Sequence, residues 1–144
     1  MKTKEVQQDL VNSMQHWQGI ERKSVESTGA VIGKTTNPLI HLVMEIIQHD
    51  SQLHHRVQQM IIDSVEGKPL AVSTEDLSAV SALLDNHLRL ESEMVSMVNA
   101  TLEKVRGKNM VVQEYLLRFL IEDEKKHAVL LSSLEHVKRG MFPT

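Results

Sequence analysis

Leu116-Leu117-Arg118-Phe119-Leu120-Ile121-Glu122-Asp123-Glu124-Lys125-Lys126-His127 is the stretch whose spacing decides the fold. Leu116 and Leu120 lie four residues apart, on one face of an α-helix, and that face resumes at Leu131, Leu134 and Val137. Between the two apolar runs it carries Asp123, Glu124 and His127 instead. Working outward, three further segments repeat the pattern. Their stripes are Val6, Leu10, Met14, Trp17; then Val43, Ile46, Ile47, Val57, Met60, Ile61; then Leu77, Val80, Leu84, Val98, Leu102, Val105. No segment alternates with period two, so strands are not expected.

Turn-forming residues separate the four segments. Gly33 to Pro38, Gly67-Lys68-Pro69, Gly107-Lys108-Asn109 and Gly140 are the breaks. Asn37-Pro38 reads as an N-cap followed by proline at the first helical position. Ser73 with Asp76 reads as a capping box, and Gly67, Gly107 and Gly140 stand where helix ends favour glycine. The spacing predicts helices over about 4 to 32, 38 to 66, 74 to 106 and 109 to 139. Four amphipathic helices with short connections make an all-α, antiparallel four-helix bundle, read as one domain over 1–144.

Composition removes several function classes. The longest apolar runs fall far short of the roughly 20 residues that span a bilayer, so no membrane span is expected. The polar start Met1-Lys2-Thr3-Lys4-Glu5 does not lead into an apolar signal core, which makes the cytoplasm the expected location. A net charge of −3 without a basic run argues against a nucleic-acid partner, which needs clustered Lys and Arg to neutralise phosphates. Because the chain has no Cys, any strong metal site must be built from His and carboxylates. Eight His in 144 residues supply the nitrogen.

Polar residues interrupt the stripe in all four helices. Leu10, Met14 and Trp17 lead to Glu21; Val43 and Ile47 lead to Asp50 and His54; Val80 and Leu84 lead to His87 and Glu91; Leu120 leads to Glu124 and His127. Antiparallel neighbours meet at equal distances from the loop that joins them. Glu21 stands about eleven residues before its turn and Asp50 about twelve after it, while Glu91 and Glu124 each stand about fifteen from theirs. His54 and His87 match across the middle loop. This counting places Glu21, Asp50, His54, His87, Glu91, Glu124 and His127 in one or two adjacent layers of the bundle interior. An ionised group in a dry interior is costly unless paired, and carboxylates sharing a layer repel one another. A divalent cation supplies the missing positive charge. Singly, a core His or Asp is more often a satisfied polar group, and a solvated or pH-sensitive layer is the plainer reading of the whole set. His16, His41, His49, His55 and His136 fall off the stripes and are expected at the surface, whereas Trp17 is expected in the core.

With these residues in view, the fourth segment resembles the last helix of ferritin-like di-iron carboxylate proteins such as bacterioferritins and rubrerythrins. Glu124 and His127 match that family's Glu-x-x-His pair, at a spacing that puts both on one helix face. The resemblance implies that Glu91 is the bridging carboxylate of the third helix and Glu21 the carboxylate of the first. It also implies an internal duplication, in which Ile47 to His54 repeats Ile121 to His127 when His54 is set on His127. Ser51 stands where the family would have Glu, with Asp50 as a substitute. That departure opens the alternative of a single metal or an asymmetric pair. Seven residues from Gly67 to Ser73 reach at most about 25 Å, too short for the family's long crossover. Either the second helix ends early and the third begins near Ser81, or the bundle is simply up-down-up-down. A simple bundle would resemble hemerythrins, and His87-x-x-x-Glu91 has a spacing found there, but three inward His are too few for that site.

The resemblance implies a di-iron or manganese cofactor, oxygen or peroxide as co-substrate, and assembly as a homodimer or higher homo-oligomer. The expected activity is ferroxidase- or peroxidase-type oxidation of Fe(II), linked to iron handling or oxidative stress. The alternative expectation is a non-catalytic ferritin-like bundle that has lost the full site and acts through protein association.

Overall fold

The computed structural model describes residues 2–67, 70–134 and 136–137. Four helices, α1 (Thr3–Ile32), α2 (Pro38–Glu66), α3 (Thr74–Val105) and α4 (Val111–Ser132), account for the fold, with no strand among the described residues. The chain is all-α and four-helical, as its stripes require. None of the helices is long and apolar enough to cross a membrane.

The caps follow from local chemistry. The Asn37 side chain accepts from the backbone N–H groups of Leu39 and Ile40 at 3.0 and 3.1 Å, and Pro38 opens α2 where no intrahelical donor is needed. At α3, Ser73 N–H donates to Asp76 Oδ2 and Asp76 N–H donates to Ser73 Oγ, each at 3.0 Å. The cap fixes the start of α3 at Thr74, so a start near Ser81 is ruled out. After α3, Gly107 takes φ +72° and Asn109 φ +60°, left-handed positions that suit glycine and asparagine. They hold α4 off until Val111, two residues later than expected. Its far end is also shorter: the continuous α-helix stops at Ser132, with a turn at Ser133 and helical backbone again at 134 and 136–137. The expected cap at Gly140 lies outside the described residues.

Two compact units divide the chain, Met1–Leu70 and Ala71–Thr144, and each contains one helical hairpin. In the first, Gln18 reaches His55, Glu21 reaches His54, Ser24 reaches Ser51 and Ile32 reaches His41, so partners on α2 descend as α1 ascends. The helices are antiparallel. Their most buried positions on α1 are Val11, Met14, Gln18 and Thr28, and on α2 Ser51, Gln58 and Ile62. Spacings of three, four, seven and ten, all multiples or sums of the heptad's three and four, define a narrow two-helix seam of the coiled-coil kind. The second hairpin repeats it with Glu91, Val98 and Leu102 on α3 and Ile121 on α4, flanked by Leu117 and Val105.

These seams correct the expected stripes, whose members Val57, Met60, Val80 and Leu120 are exposed, and with them the stripe read from α1. Leu10 and Trp17 were its expected members, but the structure buries Val11 and Gln18 and leaves Trp17 49% exposed. Gln18 can be buried because its amide donates to the His55 carbonyl at 3.2 Å and to Gln59 Oε1 at 3.0 Å. His41 and His55 are likewise half-buried, not surface residues. His41 Nε2 contacts the carbonyls of Ile32 and Thr35, tying α2 back to the end of α1.

Candidate metal centre

The site is built from the second hairpin's seam. Leu84, Leu88, Val95, Val98 and Leu102 run along the buried or half-buried face of α3, and Glu91 occupies a position in the middle of that series. Helical periodicity therefore carries a carboxylate inward, and Glu91 is 6% exposed. Opposite it, the seam of α4 runs Glu114, Leu117, Ile121, Glu124, Ala128 and Leu131, all buried or half-buried. Glu124 is its other mid-seam carboxylate, and His127 lies one turn further on the same face.

Both imidazoles approach a single oxygen of Glu91. His87 Nε2 lies 2.8 Å from Glu91 Oε1, and His127 Nδ1 lies 3.3 Å from the same atom. His127 Nδ1 is also 3.7 Å from Glu124 Oε2. The other Glu91 oxygen, Oε2, is buried without a hydrogen-bond partner. An unmet acceptor of this kind costs about 1 to 3 kcal/mol, and more when charged. Glu91, Glu124 and His127 each offer a ligand atom, and the three atoms all lie within 4.8 Å of one another. Among the described residues no other group of His, Asp and Glu converges in this way. Behind the site, Asp123 Oδ2 stands 3.5 Å from His127 Nε2, and Asp123 Oδ1 pairs with Lys126 Nζ at 2.8 Å. Asp123 thus faces the far side of the imidazole, the place from which a carboxylate fixes the ring and its tautomer for ligation.

The first hairpin is built differently at the matching positions. Setting Glu21 on Glu91 and His54 on His127 aligns the two seams, and Ser51 then falls on Glu124 and Trp17 on His87. Glu21 Oε1 and His54 Nδ1 lie 3.3 Å apart, the same separation as Glu91 and His127. Yet Ser51 is 5% exposed and its hydroxyl lies 2.8 Å from that of Ser24. The seam around it is polar and largely satisfied: Gln48 donates to the Val25 carbonyl, Thr28 to those of Ser24 and Val25, and Gln58 to Glu21 Oε1 at 3.4 Å. Asp50 is half-buried and does not join Glu21 and His54 in a convergent group. An open groove of about 410 Å³ adjoins Glu21 and Ser51, where Arg22 Nη1 contacts His55 Nε2 at 3.1 Å.

Of the seven residues expected to share a layer, Glu91, Glu124 and His127 converge, with His87 in contact with Glu91. Glu21 and His54 meet in the other hairpin, and Asp50 stands apart; the side chains of His54 and His87, expected in the interior, are 59% and 55% exposed. Sequence reasoning passed over Asp123 as an orienting group, and the seam residues Gln18, Ser24, Gln48 and Gln58. A heptad count anchored on Met14 and Glu21 would have found Gln18. No family model, curated protein or solved structure matches the chain.

Proposed function

We propose that this chain is a ferritin-like metalloprotein whose second hairpin binds iron or manganese through Glu91, Glu124 and His127. The observation that carries the reading is the buried Glu91, whose Oε2 has no partner, grouped with a second carboxylate and an imidazole whose ligand atoms lie within 4.8 Å of one another. A cation would remove both the unmet acceptor and the repulsion between the two carboxylates. Oxygen and nitrogen donors without sulfur suit iron and manganese, and the Glu-x-x-His pair is the feature shared with di-iron carboxylate proteins. When bound, such a metal supplies redox chemistry. The proposed reaction class is oxidation of Fe(II) by oxygen or peroxide, in iron handling or oxidative-stress protection.

The chain's own residues have separable tasks in this account. Glu91 and Glu124 supply negative charge, His127 supplies a neutral donor, and Asp123 holds the His127 ring from behind. Metal analysis of protein purified without chelator, followed by anaerobic Fe(II) titration, tests the reading. Saturable binding that is lost in Glu124→Ala is expected; a variant binding iron as well as the parent would remove the site.

A second reading is favoured by the first hairpin. There the carboxylate position is held by Ser51, hydrogen-bonded to Ser24, so a fold of this kind can dispense with ligands. Applied to the whole chain, it gives a non-catalytic protein that works through association. It requires the absence of stoichiometric metal and of any thermal stabilisation by Fe(II) or Mn(II).

A further inference from the structure

We propose that the α3–α4 hairpin closes around a single divalent metal ion with His87 as its fourth protein ligand, and that the α1–α2 hairpin holds none. The inference rests on the metal-binding reading above and specifies its stoichiometry and its ligand set.

Charge sets the number of ions. Glu91 and Glu124 carry two negative charges into the seam, which one divalent cation balances. A second would add two positive charges to a largely apolar seam, and the nearest further carboxylate, Asp123, is already paired with Lys126 and faces His127. A symmetric di-iron centre of the family type does not fit this donor set. Such a centre takes two Glu-x-x-His pairs, and the first hairpin has Ser51, buried and hydrogen-bonded to Ser24, at the matching position of its own seam.

Coordination sets the fourth ligand. Glu91, Glu124 and His127 give three donors, and first-row divalent ions take at least four, so one position is left for a further side chain or for water. His87 lies one helical turn before Glu91 on the same face, a spacing at which two side chains can reach one ion. Its Nε2 is 2.8 Å from Glu91 Oε1 but stands outside the convergent group of Glu91, Glu124 and His127, and its side chain is 55% exposed, which leaves the ring room for the rotamer change that would bring it onto the ion. Two imidazoles crowd one oxygen of Glu91 while the other oxygen has no partner. A bound ion resolves that imbalance, because it gives both ring nitrogens and the free oxygen a common target.

The first hairpin provides an internal comparison. It keeps the counterparts of Glu91 and His127 as Glu21 and His54, but has Trp17 for His87 and Ser51 for Glu124. Two of the four donors are missing, and a network of amide and hydroxyl hydrogen bonds fills the seam instead. The first hairpin thus lacks the counterparts of both His87 and Glu124.

Titration of the chelator-treated, full-length chain with Co(II), followed by calorimetry and visible absorption, tests the proposal. One equivalent is expected, and His87→Ala should weaken binding at least about tenfold and alter the ligand-field bands. Two equivalents bound by the parent would overturn the single-ion assignment. An unchanged affinity and spectrum in His87→Ala would overturn the role of His87 while leaving the Glu91, Glu124, His127 site intact. If the parent binds no Co(II), the proposed function fails together with this inference.

Discussion

Glu91 occupies a position that packing alone would give to leucine or valine. Replacing it with the isosteric amide separates its charge from its shape. Glu91→Gln should lower metal affinity by more than about 100-fold, beyond the usual cost of losing an outer-shell partner. The metal-free variant should be at least as stable as the parent, because the buried carboxylate meets imidazoles only through Oε1 and leaves Oε2 without a partner. Thermal melts with and without Mn(II) check both parts; a metal-free variant markedly less stable than the parent would contradict the account. Gln58 presents a milder case of the same problem. Its Oε1 is buried without a partner, its one hydrogen bond is long at 3.4 Å, and Leu131 holds the corresponding place in the second hairpin. Gln58→Leu is expected to be neutral or stabilising by up to about 1 kcal/mol in chemical denaturation.

At the scale of the helix, the start of α3 is held by a reciprocal cap that titrates. Hydrogen bonds from the Ser73 backbone N–H first, and its side chain second, hold the Asp76 carboxyl below its ordinary value of 3.8. A depressed folded value means that the cap's contribution is fully present above the unfolded value and is lost as pH falls through the folded one. Below about pH 4 the parent should therefore lose a component of stability that Asp76→Asn lacks, seen as a shallower acid limb in the variant's denaturation profile.

The two seams differ as elements, and that difference can be tested by converting one into the other. Ser51→Glu alone places a buried carboxylate beside Ser24 and should destabilise the metal-free chain by about 1 to 3 kcal/mol. Combined with Trp17→His it restores all four donors to the first hairpin, and the double variant should take up a second equivalent of Co(II). Binding that stays at one equivalent would mean that the glutamines around position 51 block the site, and that the two hairpins are less alike than their seams suggest.

For the whole molecule, binding to the folded state alone raises stability by mass action. With free Mn(II) at 100 times its dissociation constant the gain is about 2.7 kcal/mol, an upward shift in Tm on the order of 5 to 10 °C for a chain of this size. The shift should reverse with chelator and be absent in Glu124→Ala. A Tm indifferent to metal would favour the non-catalytic reading instead.

Local chemistry made much of this legible in the residues alone. Helical period, the Asn37-Pro38 start and the Ser73–Asp76 box involve neighbours within one turn, so four helices and most of their ends follow from sequence. The Glu124 and His127 pair is equally local, since a spacing of three dictates a common face. Which of two adjacent stripes turns inward was not local. Leu10 and Trp17 are more apolar than Val11 and Gln18 taken together, and only contacts across the hairpin, Gln18 to His55 and Gln59 among them, decide in favour of the latter. The same holds for the two half-sites. Sequence counting put Glu21, Asp50 and His54 on a par with Glu91, Glu124 and His127, because it registers position along a helix and not hydrogen-bond partners. The tertiary structure distinguishes them: a polar group is tolerated inside when another side chain satisfies it, as Ser24 does for Ser51, and remains a ligand in waiting when, as with Glu91, one oxygen has no partner at all.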